Sequence, residues 1–385
     1  MLAAMPVVRW ALLTLGAIEL LGCAVLPLLL PESVYLQAYL GPRARQAAAG
    51  FVARRQYLIP DAVTGWRNAP DYRSGNWTTD ALGARIGLTA ATTGSNGSTD
   101  TAPVAGAVVL LGSSLVNGGR GVEGDQTISA GLSRSGFDAH NFGTMLYSAD
   151  QSLLLLERGA MPAGVRHVVV GIDADPTALL GSVFVPVADR EQVDMPFFKP
   201  RFLETRRDPV LPPLALLQAG KANAAAVRDF LARYDARAWR YELFRRTAFT
   251  PVAAGVRKLF WRADEIRRHV LGDPGAEQQL VATLTRLKAT ARDRGVTLTV
   301  LAFPSRSIAE PGCLRRYLPD LYGARLGTLK NAGLRVLDLR SVLAQSGLRG
   351  DLAWDSDGVH LQARANAAIA VALAVQLRRA TVSSE

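Results

Sequence analysis

The chain has only four histidines among its 385 residues, and one of them sits in a setting suited to proton transfer. His360 ends the stretch Trp354-Asp355-Ser356-Asp357-Gly358-Val359-His360. This is a polar loop between a late apolar run and the last helical segment. Asp357 stands three residues before His360. On a tight turn, a carboxylate there accepts a hydrogen bond from one imidazole nitrogen, which fixes the tautomer and stabilises the imidazolium. The other nitrogen is then free to take a proton from a nucleophile. The remaining histidines have plainer roles. His140 lies in a weak strand, His167 opens a strand and His269 falls in an Arg-rich helix, so each reads as structural or exposed.

A nucleophile for His360 is expected after the first buried strand, in Gly112-Ser113-Ser114-Leu115-Val116-Asn117-Gly118. A small-residue turn that opens into a helix exposes a hydroxyl and aims backbone N–H groups at one point, which suits an oxyanion. A Ser-rich turn alone says little, since most such turns are only turns. The lipase-type elbow, Gly-x-Ser-x-Gly, is absent. A Ser turn after the first strand together with Asp-x-x-His before the last helix says considerably more. Ser114 is the expected nucleophile, with Ser113 its rival. No nucleotide loop, metal-ligand cluster or cofactor motif accompanies them, so no cofactor and no metal is expected. The two cysteines, Cys23 in an apolar segment and Cys313 in a late loop, make neither a disulfide framework nor a zinc site.

The elements that must position these residues follow from the apolar pattern. Short apolar runs at Ala107 to Leu111, Phe137 to Phe142, His167 to Ile172, Val296 to Phe303 and Leu334 to Leu339 read as strands. Ser148 to Glu157, Gln278 to Arg294 and Leu361 to Arg379 read as helices. Apolar strands separated by helices imply a parallel sheet covered on both faces, an α/β, three-layer doubly wound fold. The rim at the carboxyl ends of its strands is where such folds place their sites. Residues 179–271 interrupt the rhythm, first Pro-rich and extended, then as basic helices from Ala224 to His269. They read as a helical insertion, a lid or a partner surface, with aromatics such as Phe230, Trp239 and Phe244 lining a groove or packing on a core. Residues 76–178 and 272–385 would be the two parts of the main domain. Residues 32–75 read as a juxtamembrane stretch, helical around Val34 to Arg55, and Thr89 to Gly106 as a surface loop.

Trp10 to Leu30 is a run of 21 residues broken only by Thr14 and Glu19 among its apolar members. It is long enough to cross a hydrocarbon core as a helix, so 1–31 is read as a membrane anchor. Pro27 and Pro31 are expected to kink or end it. A cleaved or lipidated leader is the rival, since Leu20-Leu21-Gly22-Cys23 loosely resembles a lipoprotein cleavage box, although the chain stays apolar beyond it. Arg43, Arg45, Arg54 and Arg55 follow the run, which by the positive-inside rule would keep the bulk of the chain in the cytoplasm.

The apolar fraction of 49% and charged fraction of 20% exclude a disordered chain. The net charge of +11 would suit nucleic acid, anionic lipid or an acidic polysaccharide. No nucleic-acid-binding signature accompanies it, so nucleic acid is not expected as a partner and a solvated Arg-rich face is the plainer reading.

In these blocks the chain resembles the SGNH/GDSL-like hydrolase superfamily. Gly112-Ser113-Ser114 looks like its first block, usually Gly-Asp-Ser, with Gly118 at the expected spacing. Gly143 in Asn141-Phe142-Gly143 matches the second-block glycine. Gly171-Ile172-Asp173 falls on the third block, Gly-x-Asn, and Asp357 to His360 on the last, Asp-x-x-His. Trp77 to Arg85 resembles the lead-in of membrane-anchored bacterial members, and Phe197 to Phe202 their "RP-F" insert. By motif order the resemblance covers about residues 75 to 378.

The resemblance implies a flavodoxin-like SGNH fold with a catalytic triad of Ser114, His360 and Asp357. It implies an oxyanion hole of the Ser114 N–H, the Gly143 N–H and the third-block side chain. It further implies a serine esterase acting on O-acyl, including O-acetyl, groups of a cell-envelope glycan or lipid. The catalytic domain would lie outside the cytoplasm, in the periplasm of a single-pass inner-membrane protein beside envelope polysaccharide machinery. That orientation opposes the charge rule. Two departures stand out. Ser113 replaces the first-block acid, and Asp173 replaces an amide that donates to the oxyanion; losing one such donor typically costs ~10²–10³ in rate. An O-acyltransferase would use the same acyl-enzyme. A non-catalytic, membrane-anchored glycan-binding or assembly protein with this fold is the alternative outside enzymes.

Overall fold

The computed structural model describes residues 4–30, 34–35, 57–75, 77–86, 106–119, 121–158, 161–185, 197–202, 209–210, 224–248, 250–311 and 318–382. The body of the expected 89–106 loop, most of the expected 34–55 helix and Cys313 lie outside the described residues.

The described residues form two compact units. The larger covers 55–180, 199–211 and 270–385. It is built on an eight-stranded sheet in the order β12-β11-β8-β6-β7-β5-β4-β3. Five of these strands are parallel: β6 (Ala107–Leu111), β7 (Asp138–Asn141), β8 (Val165–Ile172), β11 (Thr297–Ala302) and β12 (Val336–Asp338). Each falls on one of the apolar runs singled out in the sequence. The chain leaves β6 first toward β7 on one side and later toward β8 on the other. The carboxyl end of β6 is therefore a topological switch point, where doubly wound sheets hold their ligands.

The sheet is mixed at one edge. β3 (Arg73–Ser74), β4 (Trp77–Thr79) and β5 (Arg85–Ile86) continue it antiparallel beyond β7. A hairpin of β1 (Leu58–Asp61) and β2 (Gly65–Asn68) precedes them. The stretch expected to be juxtamembrane is thus, from residue 57 on, β-structure of the main unit. Its strands are two to four residues long and carry no visible alternation.

The helices cover the sheet. α2 (Ser114–Asn117) and α3 (Ile128–Arg134) follow β6, and α4 (Ala149–Arg158) follows β7. α5 (Thr177–Leu180) follows β8. β9 (Phe184–Val185) and β10 (Phe197–Phe198) form an antiparallel pair in the smaller unit, which also holds α6 (Ala224–Tyr234), α7 (Ala238–Thr247) and most of α8 (Pro251–Leu271). Then come α9 (Pro274–Asp293), α10 (Arg306–Ala309), α11 (Leu321–Asn331), α12 (Leu339–Gln345) and α13 (Ala363–Val382). One face of the sheet packs Val108, Leu110, Val169 and Leu301 against Ile128 and Leu132 of α3, Leu343 of α12, and Ile369, Leu373 and Leu377 of α13. Burying each of these side chains is worth about 1.5–3 kcal/mol. α9 packs along α4 and β11.

The element ends show local chemistry. β12 is shorter than its apolar run because Asp338 caps α12, accepting from the Arg340 N–H at 2.9 Å. Leu334 closes the turn after α11 instead of starting the strand. Pro274 opens α9 at a position where no N–H is needed, and Asp273 caps it by accepting from the Ala276 N–H.

The smaller unit covers 1–54, 181–198 and 212–269. It contains α1 (Ala4–Leu29), the one helix among the described residues that is long and apolar enough to cross a membrane. α1 begins before the apolar run and passes through Pro27, which lies in the last turn and costs only one intrahelical bond there. Within this unit the Ala236 N–H donates to the Gly181 carbonyl at 2.8 Å and the Val183 N–H to Asp235 at 3.1 Å. α7 packs on α1.

Candidate active site

Gly112 ends β6 with a φ of 141°, a conformation that leaves no room for another residue. A Cβ there would meet Val116 Cγ2 at 2.7 Å and the Gly171 carbonyl at 2.9 Å. The turn carries the chain into α2, where Ser113 is the N-cap and its hydroxyl accepts from the Leu115 N–H. Gly118 ends α2 in the left-handed region with its N–H on the Ser114 carbonyl. Ser114 thus projects from the first residue of a short helix at the carboxyl end of the first parallel strand.

The Asp357–His360 turn is built locally. Asp357 Oδ1 accepts from the Val359 N–H at 2.7 Å and from the His360 N–H at 2.9 Å, while Oδ2 meets His360 Nδ1 at 2.5 Å. Gly358 takes a φ of 66° at the turn's tip. Burial alone would raise the Asp357 pKa. The hydrogen bonds from the His360 ring and the two backbone N–H groups outweigh it and hold the carboxyl below its usual range. Asp357 is therefore an anion, and the tautomer it selects places the proton on Nδ1. The other nitrogen, Nε2, lies 2.9 Å from Ser114 Oγ. The three residues expected to form a relay are brought together across 246 positions of sequence.

Ser113 is turned away from this relay. Its buried hydroxyl donates to Asp173 Oδ1 at 2.6 Å. The two departures from the family pattern therefore face each other. Asp173 is half-buried, and desolvation pushes its pKa up to about 6. The Ser113 hydrogen bond and the nearby His360 oppose that rise, and Asp175 adds to it.

The expected oxyanion hole is only partly arranged. The Gly143 N–H donates to Asn141 Oδ1 at 3.0 Å, and Asp173 accepts from Ser113. Asn141 is fully buried and also donates to the Val116 carbonyl and to Ser129 Oγ, so it pins the second-block loop to the first. Gly143 is required by close approach, since a Cβ would meet the Asn117 N at 2.6 Å. The Asn68 and Asn117 amides both donate to its carbonyl.

Three positioning residues were not singled out from the sequence. Gly119, with a φ of 65°, lies under the His360 ring, and a Cβ there would meet His360 Cδ2 at 2.7 Å. Gly121 lies against Asp355 in the same way, at 2.7 Å. Arg85 is buried and donates to the carbonyls of Asn117 at 2.6 Å, Gly119 at 2.9 Å and Val122 at 2.5 Å, with its guanidinium 4.2 Å from the centre of the Trp77 ring. Desolvation pulls its pKa down to about 10, against the attraction of Glu123. The Trp77 to Arg85 lead-in is thus the clamp on the loop that backs His360. The doubled glycine, Gly118-Gly119, was the available sequence signal for the contact.

The other histidines lie elsewhere. His167 Nδ1 sits 2.6 Å from Thr297 Oγ1; burial, then Arg335 and Arg166, depress its pKa. His140 Nε2 is 3.1 Å from Asp138. Among the described residues no cluster of ligands could hold a metal ion.

No protein-family model matches the chain, and no curated protein matches it. Solved structures that match include a member of the lipolytic protein G-D-S-L family from Veillonella parvula DSM 2008. It is 10% identical, with a TM-score of 0.34, and the match covers 69% of this chain and 93% of that one. Another is an α/β hydrolase enzyme from the metagenome of Lake Arreo, Spain. It is 12% identical, with a TM-score of 0.36, and the match covers 71% of this chain and 94% of that one.

Proposed function

We propose that this chain is a membrane-anchored serine hydrolase of the SGNH type, cleaving O-acyl esters, O-acetyl foremost, on a cell-envelope glycan or lipid. The observation that carries the reading is the continuous relay from Asp357 through His360 to Ser114 at the switch point of the sheet. Ser114 Oγ attacks the ester carbonyl carbon as His360 Nε2 takes its proton. The tetrahedral oxyanion forms beside the Ser114 N–H. The imidazolium, held by the Asp357 anion, returns the proton to the departing alcohol, leaving an acyl-enzyme. Water or an acceptor hydroxyl then attacks the acyl-enzyme by the same route in reverse. α1 would hold the chain at the inner membrane, with the relay on its outer side where acylated envelope polymers are found.

A second reading is favoured by one observation. Asp173 stands where an oxyanion donor is expected yet accepts from Ser113. A glycan-binding or assembly protein that keeps the fold without turnover would tolerate this arrangement.

Fluorophosphonate labelling of the purified full chain separates the two. The enzyme reading expects a covalent adduct that disappears in Ser114→Ala and persists in Ser113→Ala. An adduct lost in Ser113→Ala but kept in Ser114→Ala would move the nucleophile. No adduct on the folded protein would give the second reading precedence.

A further inference from the structure

α8 has its polarity reversed. The face turned into its own unit carries charge: Arg257, 8% exposed, donates to Thr247 Oγ1 at 2.9 Å and stacks on Phe244 and Trp261. Two turns further, Asp264 receives Arg240 at 3.1 Å, Arg268 at 3.3 Å and the more exposed Arg267 at 3.2 Å. The outward face is the apolar one. Val252, Val256, Leu259, Ala263 and Ile266 recur at spacings of three and four and are exposed, as is Phe260 beside them. Leu259 and Phe260 are 69% and 61% exposed. A helix whose charges point inward and whose stripe points outward is arranged for an apolar surrounding.

The first turn of α8 is built for the same surrounding. Pro251 has no N–H to satisfy. The Val252 and Ala253 N–H groups donate to the Glu19 carboxylate of α1, each at 3.3 Å, and the Ala254 N–H donates to the Thr250 carbonyl at 2.8 Å. Thr250 Oγ1 meets Cys23 Sγ of α1 at 3.4 Å, and a Cβ on Gly22 would meet Thr250 Cγ2 at 2.8 Å. A helix start with its donors satisfied by protein needs no water, which is the condition hydrocarbon imposes. These contacts also make α1 a folded part of its unit and give its one acidic residue a task. The exposed cations Lys258 and Arg262 lie beside the stripe, placed to meet anionic headgroups, while the exposed Arg267 is shared with Asp264.

We infer that the outward stripe of α8 lies in the same bilayer as α1, in contact with lipid whose anionic headgroups meet the flanking cations. The inference rests on the reading of α1 as a membrane helix and is independent of the relay.

The test uses the full chain with Cys23→Ser and Cys313→Ser, reconstituted in phosphatidylcholine–phosphatidylglycerol vesicles. A nitrobenzoxadiazole label is placed at one of three positions: Leu259→Cys on the stripe, Ile18→Cys on α1, or Lys330→Cys on the larger unit as a reference. Quenching by doxyl-labelled lipid at position 259 is expected to be at least twofold that at position 330, with aqueous iodide showing the opposite order. If the 259 label is quenched by iodide and not by lipid, the stripe faces water and the inference falls. If it is shielded from both, a protein surface, including a second copy of the chain, covers the stripe and the inference falls as well. Lipid quenching at position 18 without it at position 259 leaves the anchor standing and removes only the stripe. Its absence at both positions removes the anchor itself.

Discussion

On the proposed mechanism, Asp173 would govern what the site does beside Ser114, because its charge changes within the working range of a hydrolase. Burial sets its pKa at about 6, so it is largely ionised at pH 8 and largely protonated at pH 4. An anion there repels a developing oxyanion, whereas the neutral acid or an amide does not. Asp173→Asn is therefore expected to raise ester turnover at pH 8 by about 100-fold, the low end of what one oxyanion donor supplies. The gain should shrink toward pH 6, and a pH–rate profile of both proteins measures it; a slower variant at pH 8 would show that the anion is needed. Stability follows the same group. Its folded-state pKa lies above the unfolded value of 3.8, so its contribution is most favourable below pH 4 and is lost as pH rises through about 6. At ~1.4 kcal/mol per pH unit that is a loss of about 3 kcal/mol, and Asp173→Asn should melt at higher temperature than the parent at pH 8 and level with it at pH 4. Asp357 and His360 were legible in the sequence because their partnership is made within one turn. The choice between Ser113 and Ser114 was not, since it depends on Asp173 arriving 60 positions later in the sequence. The resemblance puts the Gly143 N–H in the oxyanion hole, and in the structure that N–H donates to the neighbouring Asn141 side chain, a contact that the motif does not carry.

At the scale of elements, the loop from Asn117 to Val122 behaves as a part held from two sides. Arg85 grips its carbonyls from below, and Gly119 presents a bare backbone to the His360 ring. Gly119→Ala is expected to lower kcat about 100-fold by displacing the imidazole, since shifts of ~1 Å cost that much, while fluorophosphonate still reaches Ser114 slowly. The strain of an L-residue at this φ adds about 1 kcal/mol of destabilisation. Arg85→Met leaves three buried carbonyls without their donor and is expected to cost about 3 kcal/mol in urea unfolding, with lost activity following lost structure. The parallel strands and their helices were readable because each is an apolar run of ordinary length. The hairpin and the antiparallel edge were not, because their strands draw stability from long-range pairing and packing and carry almost no pattern of their own. The interrupting helices were legible as helices. Their reversed polarity became visible only once the structure showed which face of α8 is turned inward.

At the scale of the whole molecule, charge and chemistry give opposite answers about orientation. Arg43, Arg45, Arg54 and Arg55 follow α1 and would retain the chain inside, yet the proposed hydrolysis of envelope polymers would place it outside. A carboxyl-terminal alkaline phosphatase fusion is expected to be active and the matching green fluorescent protein fusion dark; the reverse pattern would give the charge rule precedence and require a cytoplasmic ester as substrate. The separation of the relay along the chain has a further consequence, one of timing. Ser114 and its turn are synthesised early, whereas the imidazole follows 246 residues later, after every strand of the sheet has been made. A nascent chain still emerging from the ribosome or threading through a translocon holds a serine with no base, and is inert toward any ester it passes. On the proposed mechanism, chemical competence is thus postponed until the last strand of the sheet has been made and the sheet has formed.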